Sequence, residues 1–213
     1  MKPRVTIVDY GVGNLFSVRG ALEYCDAQPQ FSSSPQAIEN ADRLLLPGVG
    51  AFADSMADMR DCNLVEPVLR FAETGRPLLG ICLGMQMLME ESEEFGLHEG
   101  LGMVKGRVVP IPPNGADGKP HRIPHVGWNE LRSSRPGTWD GTVLKDVQEG
   151  DSVYFVHSFM AVPEVPGHRV ADCDYDGQKI CAVLHRDNVF GCQFHPEKSG
   201  EIGLSIIRGY LKL

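Results

Sequence analysis

The chain contains no apolar run near the ~20 residues that a bilayer-spanning helix needs. Its richest stretch, Leu78 to Met89, is interrupted by Gln86. Positive charge is also scarce: 20 Lys plus Arg stand against 28 Asp plus Glu, a formal charge of −8. Such a chain is a poor default binder of nucleic acid or of an anionic membrane, and neither is expected as a partner. Six cysteines are present, but none shows C-x-x-C spacing, which disfavours a zinc site. The N-terminal run Val5-Thr6-Ile7-Val8 is cut by Asp9, too short for a secretory h-region, so a cytoplasmic protein with reduced thiols is expected. Neither a metal nor an organic cofactor is called for. Internal repeats, low-complexity tracts and linkers are lacking as well.

What is present is an ordinary globular composition, 42% apolar and 23% charged, which excludes intrinsic disorder. A length of 213 residues predicts one domain spanning 1–213. Val5 to Val8, Arg43 to Leu46 and Leu78 to Cys82 read as short buried strands. Between them, Leu15, Val18, Leu22 and Cys25 recur at helical spacing, and residues 51–75 read as helix with a break near Asp61-Cys62-Asn63. Leu83 to Glu91 is expected as the next helix. That alternation predicts an α/β fold with a doubly wound, mostly parallel sheet.

The second half changes rhythm. Val104 to Ile111, 152–159, 168–174, 180–185 and 189–194 are strand candidates, and Asp176-Gly177 is a hairpin turn. An antiparallel or mixed addition is therefore expected, closed by a helix from Gly203 to Leu211.

Chemistry concentrates in Gly80-Ile81-Cys82-Leu83-Gly84-Met85-Gln86. G-x-C-x-G between a strand and a helix is the thiol form of a nucleophile elbow. The sharp turn projects Cys82 outward, small neighbours prevent clashes, and the following helix start favours an anion. The amide of Leu83 then points to where an oxyanion would form. The bland alternative is a buried core cysteine between packing glycines. A thiol nucleophile needs a base and the base an orienting group. Gly191-Cys192-Gln193-Phe194-His195-Pro196-Glu197-Lys198-Ser199 supplies both: His195 ends an apolar run, and Glu197, two residues on, can lie on the same side of an extended chain. Two glycine-containing turns follow strands. Pro47-Gly48-Val49-Gly50 could present amides to an oxyanion, or be an ordinary βα turn. Asp9-Tyr10-Gly11-Val12-Gly13-Asn14 lacks the third glycine of a dinucleotide loop, and its plain reading is a turn with Asn14 capping the next helix.

The elbow together with His195-Pro196-Glu197 resembles the triad-type, class I glutamine amidotransferases, which have a flavodoxin-like fold. Asp9 to Asn14, Pro47 to Phe52, His125-Val126-Gly127-Trp128-Asn129 and Lys198-Ser199 are similar to the glutaminase subunits of imidazole glycerol phosphate synthase. The resemblance implies Cys82 as nucleophile on the side-chain amide of L-glutamine, His195 as base and acid, and Glu197 as orienter. It implies an oxyanion hole from Leu83 with Val49 or Gly50, and glutamine contacts at Gly48, Gly50, Gln86, Ser158 and Phe159. It places Asn14, Trp128, Tyr154 and Lys198 at a partner interface or ammonia tunnel, in a heterodimer with a (β/α)₈-barrel synthase subunit. Two other readings share parts of the pattern. One is a stand-alone cysteine hydrolase of the γ-glutamyl hydrolase type. The other is a flavodoxin-like nucleotide-binding module with phosphate on Gly11 to Asn14. The five cysteines other than Cys82 are expected to be packing residues.

Overall fold

The computed structural model describes residues 2–11, 14–135, 137 and 139–213. In chain order the elements are β1 Arg4–Val8, α1 Leu15–Tyr24, β2 Gln28–Ser32, α2 Pro35–Glu39, β3 Leu44–Leu46, α3 Phe52–Asp61, α4 Val65–Glu73, β4 Leu78–Ile81 and α5 Leu83–Met87. Then come β5 Met89–Ser92, β6 His98–Glu99, β7 Val104–Pro110, β8 His125–Glu130, β9 Arg132–Ser133, β10 Ser152–His157, β11 Phe159–Pro163, β12 Arg169–Tyr175, β13 Gln178–Arg186, β14 Val189–Cys192 and α6 Gly200–Leu211.

The main sheet runs β2-β1-β3-β4-β14-β13-β12-β9. From β2 to β14 neighbours are parallel. From β14 to β9 they are antiparallel. This is the doubly wound sheet with an antiparallel extension that the alternation implied. Strand side chains alternate between faces. Ile7 and Leu45 enter the core shared with Val18, Leu22, Ile206 and Tyr210 of α1 and α6. Val8, Leu44 and Leu46 enter the opposite core, with Ile38, Met56 and Phe71 of α2, α3 and α4. Both faces are covered, which explains why these strands read as unbroken apolar runs. Among the described residues, no helix is long and apolar enough to cross a membrane.

Three local expectations change. The helix expected to reach Glu91 ends at Met87, and Met89–Ser92 is a strand. The amides of Leu101, Gly102 and Val104 bond the carbonyls of Met87, Met89 and Leu88, so a later segment captures the groups a longer helix would have used. The single strand expected over 152–159 is two, β10 and β11, separated at Ser158 and assigned to different sheets. Asn14 stands at the N-cap of α1 but its side chain makes no capping bond. The break near Asp61-Cys62-Asn63 is present, with Asn63 at φ +57. Asp176 and Gly177 both have positive φ, as a tight hairpin turn requires.

Candidate active site

The site lies at the C-terminal ends of β3, β4 and β14, the edge where open α/β sheets bind ligands. Cys82 occupies the one-residue turn between β4 and α5 with φ +54 and ψ −113. A non-glycine side chain is seldom held there, and the strain is maintained by close backbone packing. A Cβ added to Gly84 would sit 2.0 Å from the Leu46 carbonyl oxygen, one at Gly80 2.7 Å from the Gly84 oxygen, and one at Gly48 2.6 Å from the Gly84 nitrogen. Three glycines therefore let the turn seat directly against neighbouring main chain, and the sulfur's position follows from the backbone. Gly48 serves the site through this packing.

A cavity of about 640 Å³ opens over this turn. Cys82, Leu83, Val49, Gly50, Gln86, Ser158, Phe159, His195 and Lys198 all line it, so residues spread over the chain converge on one cavity. His195 Nδ1 lies 2.8 Å from Glu197 Oε1, and both side chains are almost fully buried. Glu197 sits in a short 3₁₀ turn, Pro196–Lys198, rather than in extended chain, and its carboxylate still meets the ring. No donor among the described residues reaches Glu197 Oε2. Ser199 holds the segment to β10: its hydroxyl donates to the His195 carbonyl (2.7 Å) and accepts from the Tyr154 amide (3.0 Å). The His195 amide donates to the Tyr154 carbonyl (3.0 Å). Burial alone would push the His195 imidazolium down. Hydrogen bonds to Cys82 and Glu197, and the charges on both, outweigh burial and lift it to about 9.

Gln86 donates Nε2 to the Phe159 carbonyl (2.9 Å) and to Gln193 Oε1 (3.0 Å). Gln193 Nε2 in turn lies 3.9 Å from Cys82 Sγ. The Pro47–Gly50 segment is pinned at both ends. Tyr10 donates its hydroxyl to the Pro47 carbonyl (2.7 Å), and the Phe52 amide donates to Glu94 Oε2 (2.6 Å). Between the pins Gly50 has φ +95, a conformation that favours glycine.

Trp128 and Tyr154 are cross-strand partners on β8 and β10, with ring centroids 6.0 Å apart. Trp128 remains 56% exposed, which leaves a large apolar surface beside the site. Asn14 does not line the cavity; it stands at the start of α1. Of the stretch Asp9 to Asn14, Val12 and Gly13 lie outside the described residues, as does that part of the phosphate-loop reading. Gln193, His157, Glu94 and Phe95 belong to the site but were missed. Gln193 did sit inside the quoted stretch Gly191 to Ser199, where a polar residue within an apolar run leading to His195 is the available signal. Of the other cysteines, Cys173, Cys181 and Cys192 are buried, and burial pushes Cys181 up to about 12; Cys62 is exposed and is not a packing residue.

A strained thiol, a buried histidine and a buried carboxylate at a strand-to-helix turn make up the kind of site in which a thiol can act as a nucleophile. The family model for class-I glutamine amidotransferases matches residues 6–209, and the chain belongs to that family. It is 56% identical over 210 residues to "Imidazole glycerol phosphate synthase subunit HisH 1" of Legionella pneumophila (strain Lens), covering 98% of this chain and 99% of that protein. It is 45% identical over 207 residues to subunit HisH of Syntrophotalea carbinolica, covering 97% and 98%. Within the class, the chain therefore falls among the HisH subunits of imidazole glycerol phosphate synthase. The fold matches the Thermotoga maritima PurLQS structure with a TM-score of 0.74 at 22% identity, over 100% of this chain and 99% of that one.

Proposed function

We propose that Cys82, His195 and Glu197 hydrolyse L-glutamine to glutamate and ammonia, as the single glutaminase domain, residues 1–213, of an imidazole glycerol phosphate synthase. Cys82 Sγ attacks the side-chain amide carbon, and the oxyanion is met by the amides of Leu83 and of Val49 or Gly50. His195 takes the thiol proton and passes it to the departing nitrogen, so ammonia leaves and a γ-glutamyl thioester remains. Water, deprotonated by His195, then attacks the thioester carbon; glutamate forms and Cys82 regains its proton. Gly50, Gln86, Ser158 and Phe159 would hold the glutamine, while Gly48 seats the turn beneath them. The buried Glu94 carboxylate on the cavity wall is suited to its α-ammonium group.

The observation that carries this reading is the 2.8 Å His195–Glu197 pair, whose histidine lines one cavity with a thiol held at φ +54. We place the partner, a (β/α)₈-barrel synthase subunit forming a heterodimer in the cytoplasm, on the side of Asn14, Trp128, Tyr154 and Lys198. Exposed Trp128 and Val126 support that placement. Gly50, between two pinned ends, is where a peptide flip would complete or break the oxyanion hole on assembly. The deciding test is Cys82→Ala in the complex. Glutamine-dependent synthesis should vanish and ammonia-dependent synthesis persist; retention of glutamine-dependent synthesis would refute the assignment.

A further inference from the structure

The H-V-G-W-N strand contributes more than an exposed tryptophan. The mechanism above makes no use of its first and last residues, His125 and Asn129. Both are drawn into one hydrogen-bonded chain. Asn129 Nδ2 donates to the Asp174 carbonyl (2.8 Å), and Asn129 Oδ1 faces His125 Nε2 (2.8 Å). His125 Nδ1 faces His157 Nε2 (3.0 Å), and His157 Nδ1 faces the Phe159 carbonyl (2.8 Å). That carbonyl is the same one Gln86 holds, so the chain continues through Gln86 and Gln193 to the Cys82 sulfur.

We infer that His157, backed by His125 and Asn129, is a positioning residue for glutamine binding, fixing the Phe159 carbonyl through a pair of imidazoles that shares one proton. The proton count carries this. A carbonyl only accepts, so His157 Nδ1 must bear a hydrogen. The Asp174 carbonyl likewise fixes the Asn129 amide nitrogen toward itself, which turns Oδ1 toward His125 and requires a hydrogen on His125 Nε2. Two neutral rings have then spent both hydrogens on outer contacts, and two lone pairs would face each other at 3.0 Å. The inner contact needs a third proton, held between the rings. Its loss forces one ring to turn a hydrogen inward, and an outer carbonyl loses its donor.

The surroundings suit a confined pair. His125 and His157 are buried, and His125 is stacked between Phe155 (4.9 Å) and Tyr175 (4.0 Å). Burial pushes both imidazoles down, His157 to about 3. Asp176 favours charge on His125, while His121 opposes it; His195 opposes charge on His157. Burial opposes the extra proton; what retains it is the geometry, two fixed outer acceptors that no neutral arrangement of the rings satisfies together, with the one charge spread over both rings.

The inference rests on the glutaminase reading for its effect on substrate, and its test has one arm that needs no turnover. Ring-¹⁵N-labelled full-length chain is titrated by NMR from pH 4 to 9. The expected result is one joint step for His125 and His157, with His157 Nδ1 and His125 Nε2 protonated on its acid side. Independent titration of the rings, or an unprotonated His157 Nδ1 throughout, overturns it. In the complex, His157→Gln retains an N–H for Phe159 without a titrating ring, and His157→Leu does not. The glutamine KM of H157L should exceed that of H157Q by roughly three- to tenfold, the worth of one neutral hydrogen bond. Equal KM values for the two variants overturn it. A complex that hydrolyses no glutamine at all refutes the glutaminase reading, and the titration still decides the pair.

Discussion

Replacing Glu197 with Gln removes one charge at nearly constant volume, from a side chain 1% exposed and 2.8 Å from the His195 ring. At an effective dielectric near 20, the gross attraction between Glu197 and a protonated His195 is on the order of 5 kcal/mol. Desolvation cancels much of it. The net worth of a hydrogen bond to a charged partner is about 1.5–3 kcal/mol, or one to two pH units in the imidazolium. His195 should thus fall from about 9 by that amount. Gln also brings an amide N–H to the Oε2 position, where no described partner waits, at a further cost of roughly 1–3 kcal/mol. Loss of a triad's orienting carboxylate lowers kcat by up to ~10⁴ through the wrong tautomer. The assay is glutaminase turnover in the complex, paired with NMR titration of His195. A kcat within threefold of wild type, or an unmoved His195, would refute the orienting role. Stability has a matching signature. Because His195 is raised on folding, its contribution is complete below about pH 6.5 and is lost as pH rises through about 9. Thermal denaturation across pH 6.5–9 should show that slope, flattened in E197Q.

Gly84→Ala forces a Cβ to 2.0 Å from the Leu46 oxygen, so it should lower the Tm by well over the several degrees that 1 kcal/mol represents, and an unchanged melting curve would be inconsistent with the packing described. Tyr10→Phe leaves the buried Pro47 carbonyl without its 2.7 Å donor. It should cost about 1–3 kcal/mol in chemical denaturation and alter glutaminase activity without partner, since one pin of the Gly50 segment is released.

The fold's first half was legible because its strands are short, apolar on both faces and punctuated by glycine. Edge strand β2 was not: Pro29 and alternating half-exposed residues hide it, and an edge tolerates both. Strand β5 was masked by Met89-Glu90-Glu91-Ser92, which continues a helical pattern until distant Val104 and Val108 pair with it. In the site, the elbow and the His195–Glu197 pair were readable because each is local in sequence. Gln193 and His157 were not, because the contacts giving them a role join distant segments: Gln193 to Gln86 and Cys82, 107 and 111 positions away, and His157 to His125, 32 positions away.

The β8–β10 ladder has a consequence for which sequence changes the protein can absorb. Along β8 the side chains alternate: His125 and Asn129 turn inward, while Val126, Trp128 and Glu130 turn to solvent. Shifting the pairing by one residue would exchange the two sets, sending tryptophan into the imidazole chain and histidine out to the surface. An insertion in the proline- and glycine-containing stretch 112–121 leaves that parity intact. A single residue added between His125 and Asn129 reverses it, so within these few positions length is more tightly constrained than identity.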